Sequence, residues 1–95
     1  MPTDSSSSLL SRIRQLIATP SVSTVSPQFD QSNRALIDLL AGWLEQAGFA
    51  VQIAPLPQQP DKANLIATLG SGPGGLVLAG HTDTVPFNAE RWHYD

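Results

Sequence analysis

The hydrophobic period of this sequence changes at Gly48, and that change limits the folds open to the chain more than any other feature. Over residues 30–47 apolar side chains recur at helical spacing, which predicts an amphipathic helix. Over residues 49–54 they alternate with small or polar side chains, which predicts a half-buried strand. Glycine suits the left-handed position of a Schellman motif, so we expect the helix to end at Gly48.

Other elements are predicted on both sides of this change. Residues 9–17 show helical spacing and predict a first helix that ends before Pro20. Residues 63–69 predict a second strand, and the proline-rich stretch 55–61 predicts a loop between the two strands. The continuous apolar run over residues 76–79 predicts a third strand that is buried on both faces.

Two helices followed by three strands make this an α/β chain. A strand that is buried on both faces lies inside a layered sheet, and the other predicted elements are too few to cover it. We therefore expect residues 1–95 to be the N-terminal portion of a larger domain.

Composition narrows the possible functions. With 41% hydrophobic and 14% charged residues, the chain is predicted to be folded. A net charge of −3 and five scattered basic residues predict no binding to nucleic acid or to a membrane surface. The sequence shows no membrane span and no signal peptide, so a cytoplasmic location is expected. Because cysteine is absent, a metal site must use histidine and carboxylate ligands.

A histidine and an aspartate directly follow the third predicted strand. His81 emerges at the carboxyl end of that strand, which is where open α/β sheets bind ligands. In an extended segment Asp83 projects to the same face, with the two Cβ atoms about 6.5–7 Å apart. Asp83 can then bond one imidazole nitrogen and leave the other for a metal ion. A purely structural hydrogen bond explains the same spacing, and the spacing alone leaves both interpretations open. His93, in a polar and aromatic tail, is predicted to be structural or exposed.

The segment Gly74–Phe87, GGLVLAGHTDTVPF, resembles the metal-binding signature of a family of zinc-dependent deacetylases and peptidases. That family includes succinyl-diaminopimelate desuccinylase and aminoacylase. Residues 16–23, residues 30–33 and Arg91-Trp92 match as well, so the resemblance covers essentially the whole chain in order. It implies the N-terminal part of a three-layer α/β/α zinc-hydrolase domain with a mixed sheet.

The resemblance also implies roles for two residues. His81 matches a histidine that ligates one ion of a two-metal site, and Asp83 matches the active-site aspartate that orients it. The remaining ligands, the catalytic glutamate and a dimerisation domain would lie beyond Asp95. The implied ions are zinc or cobalt. A glutathione requirement and a homodimer are implied by the resemblance alone.

The implied substrate is a small N-acetyl amino acid. Within the family, the flanking matches favour hydrolysis of N2-acetyl-L-ornithine to L-ornithine and acetate, in arginine biosynthesis, with this segment inactive alone. One alternative is a desuccinylase or aminoacylase with the same metal site. Another is a non-enzymatic α/β interaction module, although an unclosed sheet edge is a liability in a free-standing module.

Overall fold

The computed structural model describes residues 5–92. Its elements, in chain order, are helix α1 (Ser5–Ala18), helix α2 (Arg34–Gln46), strand β1 (Ala50–Leu56), strand β2 (Gln59–Thr68) and a short 3-10 helix (Ala89–Arg91). The two strands form one antiparallel sheet, and α2 packs against both of them. The predicted α/β class is confirmed.

Helix α2 ends as the sequence predicts. Gly48 has a φ of +99°, in the left-handed region that favours glycine. The Phe49 N–H donates to the Leu44 carbonyl at 3.0 Å, and the Gly48 N–H donates to the Glu45 carbonyl at 3.0 Å. These are the two hydrogen bonds of a Schellman motif, so local sequence is enough to stop this helix.

The core lies between α2 and the sheet. Its buried apolar residues are Leu36, Ile37 and Ala41 from the helix and Ala63 from β2. Leu36 and Ile37 are each only 3% exposed. The chain nevertheless has 8010 Å² of accessible surface, whereas a compact chain of this mass would expose about 5,300 Å². The core is therefore small for the length of the chain.

The hairpin is tighter than the sequence predicts. Only Pro57 and Gln58 form the turn, and the rest of residues 55–61 belongs to the strands. Pro55 lies opposite Ala63, whose backbone N–H and C=O bond the Asn33 side chain instead of β1. The missing proline N–H therefore costs no hydrogen bond between the strands. A register shift follows Pro55. The predicted loop over residues 55–61 is therefore wrong.

Residues 76–79 differ most from the sequence prediction. Among residues 5–92 no strand contains them, and Leu76, Val77 and Leu78 are 85–88% exposed. A strand needs a neighbour for its backbone N–H and C=O groups, and no described strand lies beside this run. The third strand expected within this chain is thus not formed, and the three-layer mixed sheet stays a prediction.

Asn33 pairs with β2 through its side chain. Its Nδ2 donates to the Ala63 carbonyl at 3.0 Å, and its Oδ1 accepts the Ala63 N–H at 2.9 Å. The neighbouring Ser32 hydroxyl donates to the Asp61 carbonyl. These side chains bind the sheet, and α2 begins at Arg34, four residues later than the sequence predicts.

A largely buried ion pair joins the loop between the helices to β2. The Lys62 ammonium lies 2.6 Å from Asp30 Oδ1, and the same oxygen accepts the Thr24 N–H at 2.9 Å. The hydrogen bond from Lys62, and then that from Thr24, hold the pKa of Asp30 below its ordinary value. The pair therefore favours the ionised carboxylate in the folded chain.

We expect this pair to make folding sensitive to acid. Because the pKa of Asp30 is lower in the folded than in the unfolded chain, its contribution is fully present above about pH 4. That contribution is lost as the pH falls through the folded pKa. Urea unfolding over a series of acidic pH values should therefore show a shallower pH dependence for Asp30→Asn than for the parent chain.

Asp38→Asn is the control for this measurement. Asp38 forms an exposed pair with Arg34 at 3.0 Å within α2, and such pairs contribute about 0.3–0.5 kcal/mol. Identical acid dependences for the parent chain and Asp30→Asn would show that Asp30 makes no such contribution.

Candidate functional site

His81 and Asp83 contact each other in the irregular segment that follows residues 76–79. The imidazole Nδ1 lies 3.0 Å from Asp83 Oδ1 and 3.2 Å from the Asp83 backbone carbonyl oxygen. Both side chains face solvent, at 82% and 65% exposure. The structure brings the two predicted site residues together, while their roles in metal binding stay predictions.

The contact determines which nitrogen of His81 is available. When Nδ1–H donates to the Asp83 carboxylate, the neutral ring keeps a free lone pair on Nε2. In the part of the chain that the structure describes, Nε2 has no hydrogen-bond partner. A metal-ligating histidine has this arrangement, with one nitrogen on a carboxylate and the other free. The pair therefore fits one metal ligand and its orienting carboxylate.

The described residues do not supply the rest of a metal site. Between residues 5 and 92, no three His, Cys, Asp or Glu side chains are grouped so that they could hold an ion. A catalytic zinc takes three protein ligands. His81 can be one of them. His93 lies outside the described residues, so its predicted lack of a metal role is still a prediction.

A short backbone bridge holds the residue after this pair, and sequence reasoning missed it. Val22 and Thr84 form an isolated parallel bridge. The Ser23 N–H donates to the Thr84 carbonyl at 3.0 Å, and the Thr84 N–H donates to the Ser21 carbonyl at 3.2 Å. The β-branched side chains of Val22 and Thr84 favour extended backbone, but nothing in the sequence indicates that these two residues pair.

Neither α1 nor α2, nor any other helix within residues 5–92, has the length and apolarity that a membrane crossing requires.

Comparison with known proteins first gives the class of enzyme that this chain resembles. No protein-family model matches the chain. Curated relatives that it does match are deacetylases from several bacteria. The deacetylase activity that the sequence resemblance implies is therefore also the activity for which these relatives are named.

In particular, the chain is similar to bacterial acetylornithine deacetylases, and the predicted resemblance is confirmed. It is 62% identical over 82 residues to the enzyme of Proteus mirabilis (strain HI4320), a match that covers 86% of this chain and 21% of the relative. It is 56% identical over 88 residues to that of Pasteurella multocida (strain Pm70), covering 93% and 23%. It is 58% identical over 82 residues to that of Photorhabdus laumondii, covering 86% and 21%. The chain thus spans about a fifth of the length of these relatives.

The candidate pair lies inside the matched region. Any continuous stretch of 88 residues in a chain of 95 must include residues 8–88, since only seven residues are left out. His81 and Asp83 fall within those bounds, so the match to the Pasteurella multocida enzyme contains both.

Proposed function

We propose that this chain contributes one metal ligand to an amide hydrolase that removes the acetyl group from N2-acetyl-L-ornithine, giving L-ornithine and acetate for arginine biosynthesis. The observation that carries the proposal is the 3.0 Å contact between His81 Nδ1 and the Asp83 carboxylate. The similarity to acetylornithine deacetylases, 62% and 56% identical in two cases, supports this substrate over those of a desuccinylase or an aminoacylase.

In this proposal the two residues have different tasks. His81 binds the cation through Nε2. Asp83 accepts the Nδ1 proton in a hydrogen bond, which fixes the ring's orientation and makes Nε2 a better ligand. When bound, a divalent cation supplies Lewis-acid activation of water and of the acetyl carbonyl. Imidazole and carboxylate ligands suit zinc, which we propose, and also cobalt. Glutathione dependence and a homodimer stay predictions from the resemblance, and a cytoplasmic location stays a prediction from the sequence.

We further propose that residues 1–95 are the N-terminal portion of a catalytic domain. Relatives that are about four times as long as this chain support this, because the matched segment is 21–23% of their length. The absence of a three-residue donor group within residues 5–92 supports it as well. The other ligands and the catalytic glutamate would then come from other segments.

The 95-residue chain alone should not hydrolyse N2-acetyl-L-ornithine, because one histidine cannot assemble a catalytic site that needs three ligands. L-ornithine release is measured with the isolated chain in the presence of Zn²⁺ or Co²⁺. The full-length Proteus mirabilis relative serves as the positive control. Turnover by the isolated chain that His81→Ala abolishes would contradict the proposal that further segments are required.

The gene sequence downstream of Asp95 tests the enzyme class. An aspartate in a turn with glycine and lysine, then a Glu-Glu pair and a late histidine, would provide the missing ligands and the proton-transferring glutamate. If the gene continues without these residues, the non-enzymatic α/β module is favoured. With the intact product, faster hydrolysis of N-succinyl-diaminopimelate than of N2-acetyl-L-ornithine would favour a desuccinylase.

A further inference from the structure

Lys62 is a buried charge outside the candidate site. It is 9% exposed, and its ammonium group contacts Asp30 Oδ1 at 2.6 Å and the Ser23 hydroxyl at 3.3 Å. An apolar residue in place of a buried ion pair is often neutral for stability or even favourable. Stability alone therefore does not explain a lysine here, and its partners indicate what it orders.

Those partners hold the loop over residues 21–24. Asp30 Oδ1 accepts the Thr24 N–H at 2.9 Å. Gln31 binds both backbone groups of Val22, since its Oε1 accepts the Val22 N–H at 2.9 Å and its own N–H donates to the Val22 carbonyl at 2.8 Å. The conformation of this loop is thus set from residues 30–31, and Lys62 fixes Asp30 against β2.

The same loop holds the segment that carries the candidate site. Ser23 and Ser21 bond the backbone of Thr84 at 3.0 Å and 3.2 Å. Within residues 5–92, these are the backbone hydrogen bonds that join residues 76–87 to the rest of the chain. Because Thr84 directly follows Asp83, whatever fixes the loop also fixes the backbone beside the candidate site.

We infer that Lys62 is a positioning residue for the His81–Asp83 pair, acting through Asp30, Ser23 and the bridge to Thr84. The inference rests on the proposed function only in what the placement is for, which is to hold a metal ligand and its orienting carboxylate. The placement itself requires no metal ion, so it can be measured on the metal-free chain.

Amide hydrogen exchange by NMR on the 95-residue chain tests the inference. Lys62→Met removes the ammonium group and keeps most of the aliphatic length. We expect the Ser23 and Thr84 amides to exchange at least about tenfold faster, while amides in the β1–β2 ladder stay protected. Lys62→Arg should restore most of the protection, because it restores the cation. Arg34→Met, which removes a cation from an exposed pair, is the matched control and should change neither amide.

A second measurement connects the loop to the site. At a pH where the His81 ring is neutral, its 15N shifts report which nitrogen carries the proton. The parent chain should show the Nδ1–H form, and Lys62→Met should shift the ring towards a mixture of the two tautomers. If Lys62 orders only the loop over residues 21–24, the amides exchange faster but the 15N shifts of the His81 ring stay unchanged.

The results that would overturn the inference differ from those that would overturn the proposed function. Unchanged Ser23 and Thr84 exchange, or unchanged His81 shifts despite faster exchange, would overturn the inference. If Lys62→Met unfolds the β1–β2 ladder, Asp30→Asn replaces it, with the same expected changes and the same overturning results. Failure of the proposed function is measured separately, by adding zinc to the full-length protein. His81 ring resonances that do not change when zinc binds would contradict the proposed function.

Discussion

Replacing Ile37 with alanine should lower the free energy of unfolding by about 2–5 kcal/mol. Ile37 is 3% exposed in the small core between α2 and the sheet, so the shortened side chain leaves a cavity that few neighbours can fill. A self-sufficient domain of 95 residues would have a total stability on the order of 5–14 kcal/mol. The loss is therefore a large fraction of the total, and urea unfolding followed by circular dichroism measures it.

Ile17→Ala is the matched control for this variant. It removes the same atoms from α1, where Ile17 is 78% exposed, and should change stability by no more than about 0.5 kcal/mol. Equal losses from the two variants would mean that the core is not where the structure places it.

Asp83→Asn should weaken zinc binding by roughly 10–100-fold in the full-length protein that carries this segment. Asparagine keeps the shape of the side chain, but it lacks the negative charge that, in the proposed function, makes the His81 ring a stronger ligand. Its amide can also turn an N–H towards Nδ1 and reverse the tautomer. Chelator competition measures the affinity, and kcat for N2-acetyl-L-ornithine should fall with it.

Two variants serve as controls for that loss. Asp38→Asn removes a carboxylate from the exposed face of α2 and should leave zinc affinity unchanged. His93→Ala should leave the number of bound ions per chain unchanged, and the loss of one ion would identify His93 as a ligand. An Asp83→Asn protein with the parent's affinity and rate would show that Asp83 does not orient His81.

Local features of this fold were predictable from the sequence. The end of α2 depends on Gly48 and its neighbours, and all the hydrogen bonds of that motif lie within a few residues. The His81–Asp83 contact is local as well, because in an extended segment a spacing of two residues places both side chains on the same face.

Features that depend on distant partners were not predictable. The run over residues 76–79 has the composition of a buried strand, but composition does not provide the neighbour that makes a strand. The contacts of Lys62 with Asp30 and of Asn33 with Ala63 join residues about thirty positions apart. Hydrophobic periodicity describes faces of helices and strands, and it contains no information on such polar pairs.

The Asn33 side chain has a consequence for how the sheet can grow. It occupies the outward backbone groups of Ala63, as a neighbouring strand would. Along a strand these groups alternate in direction, so on the same side the next free positions are Leu65 and Ala67. At this edge of the sheet, a further strand can therefore pair only with the half of β2 that is remote from the hairpin turn, because the Asn33 amide occupies the position where such pairing would have to continue.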